Sequence, residues 1–495
     1  MAESEGRRLI DIICRPKNIT MVTSLKKNSL GMNICKGLVK RIFEYDGGQL
    51  RSWFIPLSVI NNKGGEVEIN GEPYKVYKDL TELFDSGMQT IELLIITVSS
   101  RFIVDILKQI PKGRVKAVII SSGGFSEKDE AGEKAEEVVK QLAIDREFEI
   151  LGINTLGVYT HAWNSSFTEP EKGNEITMPG KAVVFVQSGG LSEETFNFLN
   201  DSGASVKFVL GTGSTPERTF VRLIKELSED TETKCVGFYL EFMPGRKSYM
   251  AIKELAKTKP VIIYFSKTNP LTTRIAKSHT GKLASSFEIL KGAVEQAKGA
   301  VLCTSQREFF SRIAALTVLP NAPRTKVCII TITGGAGVAA ASQLFTEKAE
   351  LPVFPPELQE NLKPHAVDVA SVINPIDLTG SVTTEQFKDI LKTLLKHLKN
   401  QKSEGEPLLF DTLLVIPFKT VPLLEEDHVQ ILISYGRKLQ EIGVSTIVCD
   451  VGARYTQSEI KNFAQNKIFH MQFPDDIRVA MDDFSPINLM KKRLV

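Results

Sequence analysis

The chain is poor in features that would tie it to an oxidising compartment, a metal, a membrane or a nucleic acid. Its 495 residues include six cysteines, Cys14, Cys35, Cys235, Cys303, Cys328 and Cys449, with no CxxC pair. Their scatter argues against a disulfide frame or a zinc site and predicts reduced thiols in a cytoplasm. The six histidines are equally dispersed and form no ligand cluster, so no metal is expected. Lys and Arg (61) nearly balance Asp and Glu (59), for a net charge of +2. That gives no electrostatic basis for binding nucleic acid or membrane. No apolar run reaches the roughly 18 residues of a membrane span, and runs such as Leu93 to Val98 are strand-sized. Met1 to Arg8 is polar and charged with no apolar h-region behind it, so no signal peptide is expected. No GxGxxG follows the first predicted strand, which argues against a nicotinamide dehydrogenase, and there is no P-loop.

What remains is an ordinary globular composition, 42% hydrophobic and 24% charged, at a length that suits about three domains. Strand-like and helix-like runs alternate throughout, which predicts α/β layers with mostly parallel sheets. In residues 1–150 the predicted strands are Asn18–Thr23, Trp53–Ile60, Glu92–Val98 and Lys116–Ile120, with helices at Asn33–Phe43, Phe102–Leu107 and Lys134–Leu142. This is a doubly wound, Rossmann-like pattern, whose ligand sits beyond the C-terminal strand ends. A second α/β unit, 151–318, has strands at Ala182–Val186, Val206–Val209, Val236–Leu240, Val261–Phe265 and Ala300–Cys303, with helices at Ser192–Leu199, Glu217–Leu227 and Tyr249–Ala256. The linker Leu319–Arg324 leads to a third, 324–495, whose strands are Val327–Ile332, Leu413–Phe418 and Thr446–Val451. Its helices are expected at Phe387–Leu398, Val429–Glu441 and Asp475–Met481, and Lys402–Glu406 as a charged surface loop.

Three stretches suggest chemistry. His279 stands in Ser278-His279-Thr280-Gly281-Lys282-Leu283-Ala284-Ser285, a loop of small polar residues after the strand Val261–Phe265. An imidazole there is free of bulky neighbours. Gln187-Ser188-Gly189-Gly190-Leu191 and Thr333-Gly334-Gly335-Ala336-Gly337-Val338 each set glycines between a buried strand and a helix. Such turns let a ligand approach the backbone, and the helix start attracts an anion. Two of them with a loop histidine suggest a phosphoryl group carried on nitrogen.

These stretches resemble the α subunit of the NDP-forming acyl-CoA synthetases, the group of ADP-forming acetyl-CoA synthetase with succinyl-CoA synthetase as a relative. The resemblance runs along essentially the whole chain. The histidine loop is similar to the family's SHTGxLAG, the first turn to QSGxL, the second to GGPGV, and Asn374 to Gly380 to NPxDLTG. Lys63-Gly64-Gly65 resembles a PGKGG-like CoA loop, Ser122 to Phe125 resembles SAGF, and Gly152 to Asn154 resembles GPN. The resemblance implies a Rossmann-like CoA-binding domain followed by two flavodoxin-like domains with parallel sheets. It implies His279 as the phosphorylated residue and Glu194, beside Glu193, as the carboxylate contacting it. Ser188, Gly189, Gly190, Gly334, Gly335 and Gly337 would bind phosphate. Ser24, Lys63, Ser99, Ser122, Gly123 and Asn154 would bind CoA. The partner implied is a separate ATP-grasp β subunit holding ATP or ADP with Mg2+, in an α2β2 heterotetramer. CoA, an organic acid and phosphate would be the substrates. Three departures fall near the CoA region: Val22-Thr23-Ser24 for GAS, Ser99-Ser100 for a proline, and Ile153 for the proline of GPN. They favour the alternative, a non-catalytic CoA- or acyl-CoA-binding regulatory or scaffold subunit, whereas the intact His279 loop, Glu194 and both glycine turns oppose it and favour the synthetase.

Overall fold

The computed structural model describes residues 7–27, 29–39, 42–46, 49–160, 163–165, 180–265, 299–320, 324–346, 349–425, 427–451 and 455–481, with a few positions between 291 and 297. Residues 266–290, and with them His279, lie outside the described residues. The chain divides into two compact units, one of residues 1–197 and 206–304, the other of 198–205 and 305–495.

In the first unit, α1 (Leu9–Cys14) precedes β1 (Ile19–Val22) and α2 (Leu30–Leu38). A hairpin, β2 (Ile42–Asp46) and β3 (Gln49–Trp53), precedes β4 (Leu57–Ile60), β5 (Gly65–Ile69) and β6 (Glu72–Tyr77). Then come α3 (Leu80–Asp85), β7 (Ile91–Ile96), α4 (Ile103–Lys108), β8 (Val115–Ile120), α5 (Glu130–Asp145) and β9 (Glu149–Ile153). The seven strands of the first sheet run in the order β5-β6-β4-β1-β7-β8-β9. All neighbours are parallel except β5 and β6. Strand β7 is buried along its whole length, as a parallel strand covered on both faces must be.

The second sheet follows directly. It contains β10 (Val158–Thr160), β11 (Ala182–Val186), β12 (Val206–Gly211), β13 (Cys235–Leu240), β14 (Val261–Phe265) and β15 (Ala300–Cys303), in the order β10-β12-β11-β13-β14-β15. Only the edge strand β10 is antiparallel to its neighbour. Among the described residues its helices are α6 (Gly189–Asp201), α7 (Glu217–Glu229) and α8 (Arg246–Leu255). Helix α7 buries Phe220, Leu223, Ile224 and Leu227. That is the i, i+3, i+4, i+7 stripe of an amphipathic helix, each side chain contributing about 1.5–3 kcal/mol on burial.

One continuous core joins the two sheets of this unit. It runs from Leu9, Ile10, Ile12 and Ile13 of α1 through Ile19 and Leu93 to Val183, Phe185 and Phe238. Polar contacts reinforce it. Ile10 N–H donates to Glu226 (3.0 Å), and the Trp163 indole donates to the Ile13 carbonyl (3.1 Å).

The second unit carries α9 (Gln306–Val318), β16 (Val327–Thr331), α10 (Gly334–Thr346), α11 (Pro356–Leu362), β17 (Ile376–Asp377) and α12 (Thr384–Glu404). Strand β18 (Thr412–Ile416), α13 (His428–Ile442), β19 (Ser445–Cys449), α14 (Gln457–Gln465), β20 (Ile468–Met471) and α15 (Ile477–Ala480) follow. Its parallel sheet has the order β17-β16-β18-β19-β20.

Several sequence expectations need correction. The stretch Trp53–Ile60 is not one strand, because β3 ends at Trp53 and β4 begins at Leu57, after Pro56. Lys402–Glu404 is the last turn of α12, not loop. That helix starts in a Thr383/Gln386 capping box and stops only at Gly405, whose φ of 77° supplies the left-handed C-terminal residue. Within the helix expected at Asp475–Met481, Ile477–Ala480 is α-helix, led by a short 3-10 turn at Pro474–Asp476.

Candidate active site

The first sheet opens two clefts on its C-terminal edge. The smaller, about 220 Å³, is shared with the second sheet. Its walls are Ser121 and Glu127 after β8, Asn154 to Leu156 after β9, Gln187 to Gly190 after β11, Gly213 and Ser214 after β12, and Glu241 and Phe242 after β13. Strand β11 lies between β12 and β13, so the Gln187–Gly190 turn stands where the chain reverses its winding. Doubly wound sheets bind ligands at such points.

Each wall is held by short-range chemistry. Gln187 is nearly buried. Its Oε1 accepts from the backbone N–H groups of Glu241 (2.6 Å) and Phe242 (2.9 Å), and its Nε2 donates to the Phe242 carbonyl (2.9 Å). This amide fixes the loop after β13 against the start of α6. Among the described residues a Cβ on Gly190 would meet nothing within 4 Å, and the first turn of a helix has N–H groups without intrahelical partners. Across the cleft, Thr215 Oγ1 donates to the Leu151 carbonyl (2.7 Å) and Ser214 N–H to the Ile153 carbonyl (2.9 Å). Asn154 takes a left-handed φ of 55°, which Asn adopts more readily than most residues.

The Ser122–Phe125 loop closes on a carboxylate. Glu127 accepts from the backbone N–H groups of Gly124 (2.5 Å) and Phe125 (3.2 Å). The loop is anchored from behind by Glu136, which is buried, accepts from Ser126 Oγ (2.7 Å) and pairs with Lys140 (2.9 Å). Gly132 of α5 packs directly beneath, where a Cβ would come within 2.1 Å of the Phe125 carbonyl oxygen.

The larger cleft, about 670 Å³, lies beyond β1, β4 and β6. Val22 to Lys26, Asn61 to Lys63 and Lys78 line one side, and Val98, Phe102 and Ile106 add apolar surface. Strand β1 sits between β4 and β7, so this too is a switch point. Asn61 ties the two loops together: its Nδ2 donates to the Thr23 carbonyl (2.7 Å) and its Oδ1 accepts from Lys63 N–H (3.2 Å). Lys26, Lys63 and Lys78 are all exposed.

The residues singled out by sequence therefore distribute as follows. Ser188, Gly189, Gly190 and Asn154 come together in the smaller cleft, and Ser24 and Lys63 in the larger. Ser99, Ser122 and Gly123 line neither, but they follow β7 and β8, the strands between the two clefts. The Oγ of Ser122 is buried and has no partner among the described residues. Glu194 is exposed on α6 and is not part of the cleft wall. Sequence reasoning missed Glu127, Thr155, Ser214 and Glu241 as wall residues.

In the second unit, Gly334, Gly335 and Gly337 begin α10 directly after β16. A Cβ on Gly334 would approach Asp377 Oδ2 to 2.7 Å, and one on Gly337 would approach Thr331 Cγ2 to 2.8 Å. The Asn374–Gly380 segment grips β16. Asn374 Oδ1 accepts from Ile329 N–H (3.0 Å) and its Nδ2 donates to the Val327 carbonyl (2.8 Å), while Asp377 accepts from Thr379 N–H (3.1 Å). Elsewhere in this unit His428 is fully buried, its Nδ1 facing the Glu425 carbonyl (2.7 Å) and its Nε2 the Tyr455 hydroxyl (3.1 Å). Nδ1 must donate to a carbonyl, so Nε2 accepts from Tyr455. Burial holds this imidazole below its ordinary value.

No group of three or more His, Cys, Asp or Glu among the described residues is placed to hold a metal ion. No helix among them is long and apolar enough to cross a membrane.

Comparison with known proteins agrees with this architecture. Residues 179–316 match the succinyl-CoA ligase like flavodoxin domain. The α subunit of acetate–CoA ligase (ADP-forming) I from Pyrococcus furiosus is 29% identical over 399 residues, which span 78% of this chain and 80% of that protein. The 4-hydroxybutyrate–CoA ligase (ADP-forming) of Nitrosopumilus maritimus is 26% identical over 335 residues, 66% of this chain and 46% of that longer protein. In fold, the chain superposes on the dinucleotide-forming acetyl-coenzyme A synthetase 1 of Ca. Korarchaeum cryptofilum, solved with phosphate and ADP, with a TM-score of 0.76 at 20% identity, covering 98% and 97% of the two chains. The chain is thus similar over most of its length to the α subunits of ADP-forming acetate–CoA ligases, and it carries the succinyl-CoA ligase like flavodoxin domain over residues 179–316.

Proposed function

We propose that this chain is the α subunit of an NDP-forming acyl-CoA synthetase, interconverting acyl-CoA, phosphate and NDP with organic acid, CoA and NTP. The observation that carries this reading is the placement of both clefts on one edge of the first sheet, the smaller walled by the start of α6. CoA would lie along that edge. Its phosphates would meet Ser24 and Lys63 at the larger cleft. Its arm would cross the ends of β7 and β8, past Ser99, Ser122 and Gly123. The thioester would then reach the smaller cleft beside Asn154.

There an oxygen of inorganic phosphate adds to the thioester carbonyl. The C–S bond breaks, CoA leaves as a thiolate that takes a proton from solvent, and an acyl phosphate forms. Ser188, Gly189 and Gly190 present backbone N–H groups and the positive helix end to the developing charge. A ring nitrogen of His279 then attacks phosphorus, the acyl oxygen departs as carboxylate, and the histidine carries the phosphoryl group. We assign Glu194 to orient the imidazole. The glycine-led start of α10, with Gly334, Gly335 and Gly337, carries the same kind of anion-binding turn. Transfer to NDP calls for Mg2+ and groups around the β-phosphate. We place these on a separate ATP-grasp β subunit in an α2β2 assembly in the cytoplasm.

The test is to incubate the chain and its β subunit with γ-labelled ATP and follow acid-labile phosphate on the protein. Wild type should acquire it and His279→Ala should not. A His279→Ala protein labelled at the wild-type rate would place the carrier elsewhere. A wild-type chain that binds CoA yet never takes label would be a scaffold and not an enzyme. Screening acyl-CoA esters for phosphate-dependent CoA release would identify the acid.

A further inference from the structure

The smaller cleft contains a carboxylate that the scheme above does not use. Glu127 lines the cleft, and its two oxygens accept the N–H groups of Gly124 and Phe125. Consecutive N–H groups converging from a turn form a ready-made anion site. Here the protein fills that site with its own side chain. A Cβ on Gly123 would come within 2.9 Å of Glu127 Oε1, so the carboxylate lies close against the loop. The loop cannot easily retreat, because buried Glu136 holds Ser126, and α5 presses on Phe125 through Gly132. The other charged residue of the wall, among those described, is Glu241.

Resting on the proposed acyl-transfer reading, we propose that Glu127 determines the charge class of acyl group the cleft accepts, admitting monocarboxylic acyl groups and rejecting dicarboxylic ones. A second carboxylate on the acyl chain would need donors from this loop, and Glu127 already occupies them. Directed at this loop it would also stand close to the Glu127 carboxylate, whereas phosphate in the same cleft of about 220 Å³ has the N–H groups at the start of α6. Like charges at such distances in a partly dry site repel strongly. An uncharged acyl tail meets neither obstacle. This is discrimination by a built-in repulsive element.

Calorimetric titration of the full-length chain with CoA, propionyl-CoA and succinyl-CoA tests this. Wild type should bind propionyl-CoA at least about tenfold more tightly than succinyl-CoA, as expected for one unrelieved like-charge contact. Glu127→Gln keeps one acceptor for the loop and removes the charge. It should tighten succinyl-CoA binding relative to propionyl-CoA until the gap falls to about twofold. Glu127→Asp, which keeps the charge, should keep the gap. Equal binding of the two esters by wild type, or an undiminished gap in Glu127→Gln with CoA binding intact, would overturn the role of Glu127 alone. Failure of wild type to bind CoA at all would instead overturn the coenzyme reading on which it rests.

Discussion

Gly213 and Ile153 stand so close that a Cβ on Gly213 would sit 2.1 Å from the Ile153 carbonyl oxygen. The two residues form a parallel bridge between the sheets of the first unit, and Gly213 takes a φ of 44°. The next residue, Ser214, lines the smaller cleft. Gly213→Ala is therefore expected to lower the stability of the first unit by about 2 kcal/mol or more, through a backbone clash at a left-handed φ. Thermal unfolding should show the loss. A variant as stable as wild type would mean that the junction relaxes freely.

Lys63→Ala should weaken CoA binding about threefold to tenfold while leaving the melting temperature unchanged, because an exposed lysine contributes a screened phosphate contact and little packing. Calorimetry at low and high salt is the measurement. The loss should shrink as salt rises. An unchanged dissociation constant would remove Lys63 from the coenzyme site.

His428 should make the second unit sensitive to acid. Its imidazole is held below its ordinary value of 6.5, mainly by burial. The unfolded chain therefore binds the proton more readily than the folded one. The stability conferred is complete above the unfolded value and is lost as pH falls below about 6.5 toward the depressed folded value. Urea midpoints at mildly alkaline and mildly acid pH, for wild type and His428→Gln, would show it. The drop on acidification should be smaller in the variant. Equal drops would assign the acid sensitivity to other groups.

Much of the fold was legible because parallel strands buried on both faces read as unbroken apolar runs. Ala182–Val186 and Val327–Thr331 are of this kind, and all their residues are buried. Helix α7 was legible by its period. Elements whose stability is tertiary were not. Helix α1 is six residues long, too short to show a period, and it is held by the core that joins the two sheets. The β5–β6 hairpin had a local signal that was overlooked. Asn70 and Gly71 both have positive φ, 53° and 86°, as an Asn-Gly type I′ turn requires.

The candidate site divides in the same way. Gly189, Gly190 and Asn154 could be found because a close approach to backbone demands small residues or those tolerant of unusual φ. Glu127 could not, because its role comes from N–H groups that converge only when the preceding loop folds. Glu194 lies on α6, exposed and outside the wall of the smaller cleft, and helical spacing alone does not fix which face of that helix meets the cleft.

The sulfur chemistry of the chain has a practical side. Five of the six cysteines are buried and Cys14 is half-buried. Burial lifts the thiols of Cys14, Cys35 and Cys235 to about 12, and those of Cys328 and Cys449 are also raised. Since the thiolate is the reactive form, alkylating dyes should leave these five silent at neutral pH. A cysteine introduced at an exposed site beside the larger cleft, such as Asn62, would then report coenzyme arrival as a fluorescence change in an otherwise native background.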